Sequence, residues 1–402
     1  MRLSDRMGAI KPSPTAAAMA RAAQAKADGR PVISLTTGEP DFDTPAHIQE
    51  AAIAAMRAGQ TRYTAVDGTP TLKQAIVDKF ARENGLQFTT EEVTVSTGAK
   101  QVIFNAVLAT IQPGDEVIVP TPAWVSYPDI VRLAGGTPVL VPTGPETGFK
   151  PRAEDIAAAI TPRTRALMLN SPNNPTGAVL SAEDYSQIGA LLADRPDILV
   201  ICDDIYEHIV FEGARFVTLA QVCPALRDQV LTVNGVSKAY AMTGWRLGYG
   251  AGPAPLIKAM RTLQSQSTTN PSSISQAAAV AALNGGLQSV EDQCQAFAQR
   301  RARLLERLSA LPGLTLHPPA GAFYLFIGIA DWIGAKRENG GVIATEADFV
   351  DALLEEQDLA VVGGSGFGCS PYIRMSFAAA QDALDATVDR LAAFLGRLTA
   401  AR

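Results

Sequence analysis

The chain has 402 residues, more than the roughly 250–300 that one hydrophobic core supports, so two domains are expected. It is 47% hydrophobic and 18% charged, with a formal net charge of −6, a globular-enzyme composition without a basic footprint for nucleic acid. Four cysteines and three histidines lie scattered, without CxxC or HExxH spacing, so neither a disulfide framework nor a metal site is indicated.

The N-terminal stretch MRLSDRMGAIKPSP lacks an apolar signal core, and no run reaches membrane-spanning length. A soluble, cytoplasmic protein is expected. From about residue 90, short β-branched runs alternate with amphipathic segments. The runs are VTVSTG (93–98), EVIVPTP (116–122), TPVLVPT (137–143), RALMLNSP (165–172), DILVICDD (197–204), VLTVNG (230–235) and RLGYGAG (246–252). Several are apolar nearly throughout, as strands covered on both faces are. AKQVIFNAVLATI (99–111) and SAEDYSQIGALLADR (181–195) read as helices, the second opened by Ser181 and Asp184 as an N-cap box. This alternation predicts an α/β domain around a largely parallel sheet. A long helical stretch is expected over about 272–310. Beyond Pro312, GAFYLFIGI (321–329), LAVVGG (359–364) and YIRMSFA (372–378) read as strands and about 380–399 as a last helix. These suggest a smaller α+β domain, on which the first ~45 residues are expected to pack.

Open parallel sheets bind ligands beyond the carboxyl ends of their strands, so the residues there are the candidates for chemistry. STGAK (96–100) is a strand–turn–helix junction whose amides and dipole suit an anion, or simply a tight turn. Neither a Walker A loop nor a GxGxxG fingerprint is present, which disfavours nucleotide and NAD enzymes. CDDIY (202–206) ends an apolar run with two acids, only one of which can face a site, since neighbouring strand residues point oppositely. They could equally cap a strand–loop junction. NSPNNPTG (170–177) is a turn by composition, with amides to spare for a ligand oxygen. In NGVSKAYAMTGWR (234–246), Lys238 stands alone among small and apolar residues. Either it is an exposed loop lysine, or burial lowers its pKa and makes its amine a nucleophile. Arg246 follows and could grip a phosphate through two nitrogens. Together these groups ask for a ligand with a phosphate, a protonatable ring, a phenolic oxygen and an aldehyde. Pyridoxal 5′-phosphate has all four.

The segments SPNNPTG, DDIYEH, SKAYAMTGWRLGYGAGP, GAFY and YIRMSFA, in this order, closely resemble the fold-type I, class I aminotransferases. They are most similar to the bacterial aspartate aminotransferase branch, whose members also include prephenate users. The resemblance runs from IKPSPTAA and GEPDFDTP to the last helix. It implies a large pyridoxal-phosphate-binding domain over 46–305 with a mostly parallel seven-stranded sheet. A small α+β domain would be made of 1–45 and 306–402. Lys238 matches the Schiff-base lysine and Asp203 the partner of the pyridine nitrogen. Asn174 and Tyr206 match donors to the ring's phenolic oxygen, Tyr206 with a part in catalysis, and Trp124 the stacking aromatic. The backbone of Gly98, Ala99 and Lys100 matches the phosphate cradle, with Ser237 and Arg246 beside it. Arg374 matches the clamp on the substrate α-carboxylate, with Gly38 contributing a backbone contact and Trp124 and Asn174 adjoining it. Tyr63 matches a residue that reaches the neighbouring subunit's phosphate, which implies a homodimer with shared active sites.

The implied reaction moves an amino group from aspartate or glutamate to a 2-oxo acid such as 2-oxoglutarate. One branch of the family grips a distal carboxylate with an arginine before an NP dipeptide, but LQSQSTTNP (263–271) contains none. In the resembling bacterial branch the lysine of the IKPS stretch serves instead, which points to Lys11, with Ser13 and Thr15 near it. Ala123 stands where that branch has an aromatic, and MSFAAA follows the clamp arginine where it has a SYATS-like run. Both changes leave room for aromatic or prephenate transamination, or a carbon–sulfur lyase, on the same fold. A DNA-binding regulator of this fold would need a further domain, for which GEPDF leaves no room upstream.

Overall fold

The computed structural model describes residues 1–399. Thirteen strands follow in chain order. They are β1 (Ile33–Ser34), β2 (Val93–Ser96), β3 (Glu116–Thr121), β4 (Thr137–Pro142), β5 (Thr164–Asn170), β6 (Leu199–Asp203), β7 (Val230–Gly235), β8 (Gly248–Ala251), β9 (Thr315–Leu316), β10 (Tyr324–Gly328), β11 (Leu359–Ala360), β12 (Val362–Gly363) and β13 (Tyr372–Ser376). Strands β2 to β8 form one seven-stranded sheet in the order β2-β8-β7-β6-β5-β3-β4. All its neighbours run parallel except β8, which is antiparallel to both β2 and β7.

Side chains alternate across this sheet and fill two cores. Ile201, Met168 and Val233 join one core with Val102 and Ile103 of the helix Ala99–Thr110. Val200, Cys202, Leu167 and Leu169 join the other, with Tyr185 and Ile188 of the helix Ala182–Leu192. Each fully buried Leu, Ile or Val in these layers contributes about 1.5–3 kcal/mol of transfer free energy. The predicted cap forms: Ser181 Oγ accepts from the Asp184 amide at 3.2 Å, and Asp184 Oδ2 accepts from the Ser181 amide at 2.7 Å.

The smaller sheet has the order β12-β13-β10-β9, and β1 pairs in parallel with β11. Arg30 adds an ion pair to Asp358 at 2.7 Å beside that pairing. The N-terminal segment is therefore fastened to C-terminal elements.

Two details refine these expectations. The stretch 272–310 is two helices, Ser273–Asn284 and Gln288–Ser309. Gly286 adopts φ +81° between them, a conformation that ends a helix without strain only at glycine. A Cβ on Gly285 would meet His47 Nε2 at 2.4 Å, so the break is packed from outside as well. The run 246–252 belongs to the sheet, but against the direction of its neighbours. No helix among the described residues is long and apolar enough to cross a membrane.

Candidate active site

The carboxyl ends of β5, β6 and β7 converge on a cavity of about 270 Å³. Its walls include Gly38, Ala99, Lys100, Trp124, Asn174, Asp203, Tyr206, Ser237, Lys238, Arg246 and Arg374. Gly98 stands just behind this wall, where a Cβ would fall 2.6 Å from the Arg246 guanidinium. Lys11 and Tyr63 are not among the lining residues; both are exposed, Tyr63 at 92%.

Strand parity decides which acid faces in. Asp203 continues the phase of Ile201, toward the core that contains Tyr127. Asp204 continues the phase of Cys202 and is buried outside the cavity. Tyr127 donates to Asp203 Oδ2 at 2.6 Å, while Oδ1 is buried without a partner. Burial pushes the Asp203 carboxyl up to about 6, against the lowering effect of the Tyr127 hydroxyl. Asn170 ties the strand ends together: its amide donates to Asp203 O at 2.7 Å, and its oxygen accepts from the Asn174 amide at 2.8 Å.

Lys238 follows β7 and points its amine at Gly38 O, 2.7 Å away. Burial and repulsion from Arg246 push that amine down to about 8, with Glu39 and Asp203 pulling the other way. The Tyr206 ring lies 5.9 Å from the Lys238 nitrogen, and its hydroxyl shares a 2.8 Å hydrogen bond with Tyr324. Burial raises the Tyr206 phenol well above its usual range, so it stays a donor at neutral pH.

The anion end lies at the helix Ala99–Thr110. Its N-cap is Gly98, which offers no side chain, so the Ala99 and Lys100 amides are left for a ligand, while the Gln101 amide donates to Gly98 O at 3.0 Å. Strand β8 passes so close that a Cβ on Gly248 would overlap the Ala99 nitrogen at 2.1 Å. Arg246 adopts φ +52°, and Lys100 lies over the Trp124 ring at 4.7 Å.

At the opposite end, Arg374 pairs across strands with Phe326 and Val362. It is 2% exposed, yet its nitrogens touch only Asn174 Oδ1 at 3.0 Å and Thr36 O at 2.6 Å. Its Nε has no partner. Among the described residues none of Lys100, Lys238, Arg246 and Arg374 forms an ion pair within 4.0 Å. Four cationic side chains, Arg374 buried, Lys238 half-buried and Lys100 and Arg246 exposed, thus share the cavity with the single carboxylate of Asp203. A buried cation without a counter-charge is costly unless a ligand supplies one. The cavity is built for anions at both ends, with a nucleophilic amine between them.

Sequence reasoning missed Tyr127, Asn170, Ile205 and Tyr324 as wall residues; Thr15, marked beside Lys11, does line the cavity. Asn170 belongs to the amide-rich turn and Tyr324 to GAFY, so a signal existed for those two. For Tyr127 the signal was its place three residues beyond Trp124, whose carbonyl accepts the Tyr127 amide at 3.0 Å.

Comparison with known proteins agrees with this chemistry. The sequence model of the family described as aminotransferase class I and II matches residues 30–394. An aspartate aminotransferase of Rhizobium meliloti (strain 1021) is 53% identical, over 94% of this chain and 93% of that protein. An aspartate/prephenate aminotransferase of Nitrosomonas europaea is 50% identical, over 98% of this chain and all of that one. The crystal structure of the Rhizobium meliloti aspartate aminotransferase superposes with a TM-score of 0.96 at 51% identity, over 99% of this chain and 100% of that chain. With its fold, its cavity and its sequence in agreement, the chain belongs to the aminotransferase class I and II family, whose amino-group transfer depends on pyridoxal 5′-phosphate.

Proposed function

We propose that this aminotransferase takes its amino group from aspartate or glutamate and passes it to a 2-oxo acid such as 2-oxoglutarate. The observation that carries the reading is Arg374, a buried guanidinium with no counter-carboxylate, in one cavity with the Lys238 amine. The residues fit the cofactor. Asp203 Oδ1 is a buried, unpartnered acceptor for a ring nitrogen, and the uncapped helix start beside Arg246 suits a phosphate. When bound, pyridoxal 5′-phosphate supplies an aldehyde for attachment and an electron-withdrawing ring that acidifies the substrate's Cα–H.

Lys238 anchors the cofactor through its amine and, once released, moves the proton at the substrate Cα as base and then acid. Asp203 keeps the ring nitrogen protonated. Asn174 and Tyr206 donate to the phenolic oxygen, and Trp124 stacks on the ring. Gly98, Ala99 and Lys100 cradle the phosphate with Ser237 and Arg246. Arg374 and Gly38 orient the α-carboxylate. Lys11 attracts the distal carboxylate, with Ser13 and Thr15 beside it. Tyr63 completes the phosphate site of a second copy, so the working enzyme is a homodimer. Residues 46–305 act as the large domain, and 1–45 with 306–402 as the small one; Ala400, Ala401 and Arg402 lie outside the described residues. A cytoplasmic enzyme is proposed.

Lys238→Ala is expected to lose the visible absorption of the bound cofactor and to slow turnover by about 10⁴-fold or more. Transamination at the wild-type rate in that variant would overturn the assignment. A second reading, prephenate as amino acceptor, draws on the name of the Nitrosomonas europaea relative and on Ala123 where the resembling branch has an aromatic. A panel of amino donors with 2-oxoglutarate, oxaloacetate and prephenate separates the two. Release of pyruvate without an acceptor would instead mark a lyase.

A further inference from the structure

Loop 61–69, TRYTAVDGT, presents the exposed Tyr63 and then enters the helix Pro70–Asn84. Two fully buried glutamines from other helices hold it. Gln264, on the helix Ala254–Ser265, is 0% exposed. Its amide nitrogen donates to Val66 O at 2.7 Å and to Val95 O at 2.9 Å. Its oxygen accepts from Ser96 Oγ at 2.5 Å and from Asn105 Nδ2 at 3.0 Å. Both donors and both lone pairs of one amide are therefore used. Gln276, on the helix Ser273–Asn284, is 1% exposed. Its oxygen accepts from the Thr69 amide at 2.8 Å, and its nitrogen donates to Thr64 Oγ1 at 3.0 Å and Pro271 O at 2.9 Å.

The loop is thus gripped at residues 64, 66 and 69 by two side chains. Gln264 also grips Val95 and Ser96, the last turn of β2 before the Gly98 cradle, and Asn105 on the cradle's own helix. A loop held only for its own sake would not need to share an amide with the phosphate-binding turn. We propose that Gln264 and Gln276 are positioning residues for the cofactor phosphate. They fasten the Ser96–Lys100 cradle and the Tyr63 loop into one body, so that the amides and the tyrosine hydroxyl keep their places together. The part of this inference that concerns Tyr63 rests on the homodimer proposed above; the part that concerns the cradle does not.

The test uses the full-length protein freed of cofactor and titrated with pyridoxal 5′-phosphate and with pyridoxal, which lacks only the phosphate. Gln264→Leu is expected to weaken the phosphorylated ligand about tenfold while changing pyridoxal less than about twofold, since a preorganised phosphate site is what is lost. Gln276→Leu is expected to do the same by about threefold, and only while Tyr63 is present, so the double variant with Tyr63→Phe should be non-additive. If Gln264→Leu does not fold, Ser96→Ala removes one arm of the brace and should give a smaller loss of the same selective kind. Equal weakening of both ligands, or of neither, overturns the proposal and leaves the glutamines as ordinary core amides. If Tyr63→Phe alone changes nothing while Gln264→Leu stays selective, the cradle brace stands and the shared-site dimer falls. If Tyr63→Phe weakens the phosphorylated ligand and Gln264→Leu does not, the dimer stands and the brace falls.

Discussion

One six-residue segment, Asp203–His208, feeds two buried clusters of charge that differ in kind. Asp203 and Tyr206 face the cavity, where cations outnumber acids and two polar atoms, Asp203 Oδ1 and Arg374 Nε, lack partners. Glu207 and His208 face away, toward Lys79, Glu83 and Asn84. There Lys79 is 0% exposed and pairs with Glu207, Asn84 donates to Glu207 at 3.0 Å, and His208 meets Glu83 at 2.9 Å. Every charged group of this second cluster has its counterpart in the chain. Burial alone would raise the Glu83 carboxyl, but the His208 hydrogen bond and the Lys79 charge hold it down to about 2. The oxygens of Glu83 and Glu207 with His208 have the spacing of a metal site, yet the Lys79 ammonium already pairs with both carboxylates and Arg82 adds a second cation on Glu83. The second cluster's charge is satisfied from within and the cavity's is left open to a ligand; Asp204, between them, has neither oxygen partnered, and burial pushes its carboxyl well above its usual range.

The contrast breaks most sharply at Lys79. Lys79→Met should cost about 3–5 kcal/mol of stability, because it strands Glu207 without a cation. A urea midpoint that falls at constant slope would report it, and an unchanged midpoint would erase the distinction between the clusters. The same cluster should weaken in acid. Glu83 is held below its usual value of 4.5, so its contribution is present above that pH and fades as pH falls toward 2.

Arg374→Leu should behave oppositely. It removes a contact to the substrate carboxylate worth about 2–5 kcal/mol in kcat/KM. Yet the cofactor-free chain should be as stable as before or more so, by about 1 kcal/mol, since an unpaired buried charge is gone. A stability loss like that of Lys79→Met would show the cavity to be structural. Lys238 sharpens the comparison through pH. Its amine, held near 8, is neutral above that pH, so capture of pyridoxal 5′-phosphate should slow about tenfold per unit below it and level off above. A rate flat across that range would mean the amine is not depressed. The smallest effect belongs to Lys11→Ala. An exposed charge is worth up to about 1 kcal/mol, so KM should rise about fivefold for dicarboxylates and not for neutral substrates. Equal change for both would remove Lys11 from substrate choice.

Much of the cavity was legible because apolar runs stop abruptly at polar or glycine-rich residues, as at NSPNNPTG, CDDIY and NGVSK. That transition marks where a strand leaves the core, and hence where a ligand can reach it. Tyr127 and Tyr324 were not assigned because their meaning is tertiary. Their partners, Asp203 and Tyr206, lie 76 and 118 residues away in sequence. The direction of β8 was hidden too, since GYGA carries no signal of parallel or antiparallel pairing. The break at Gly285–Gly286 divides the long helical stretch where two glycines stand side by side. The brace of Gln264 and Gln276 had no signal at all, because a glutamine that satisfies buried carbonyls looks like one that meets solvent.

The alternation that aims Asp203 inward and Asp204 outward makes this enzyme's chemistry a matter of phase. Inserting one residue within β6 ahead of Cys202 would move Asp203 into the outward place of Asp204 and bring Cys202 into the inward one. The ring nitrogen would lose its partner while Tyr127 lost its acceptor. Such a change would be nearly invisible in an inventory of residues and fatal in the active site. Length, more than identity, is what the interior of this strand must keep.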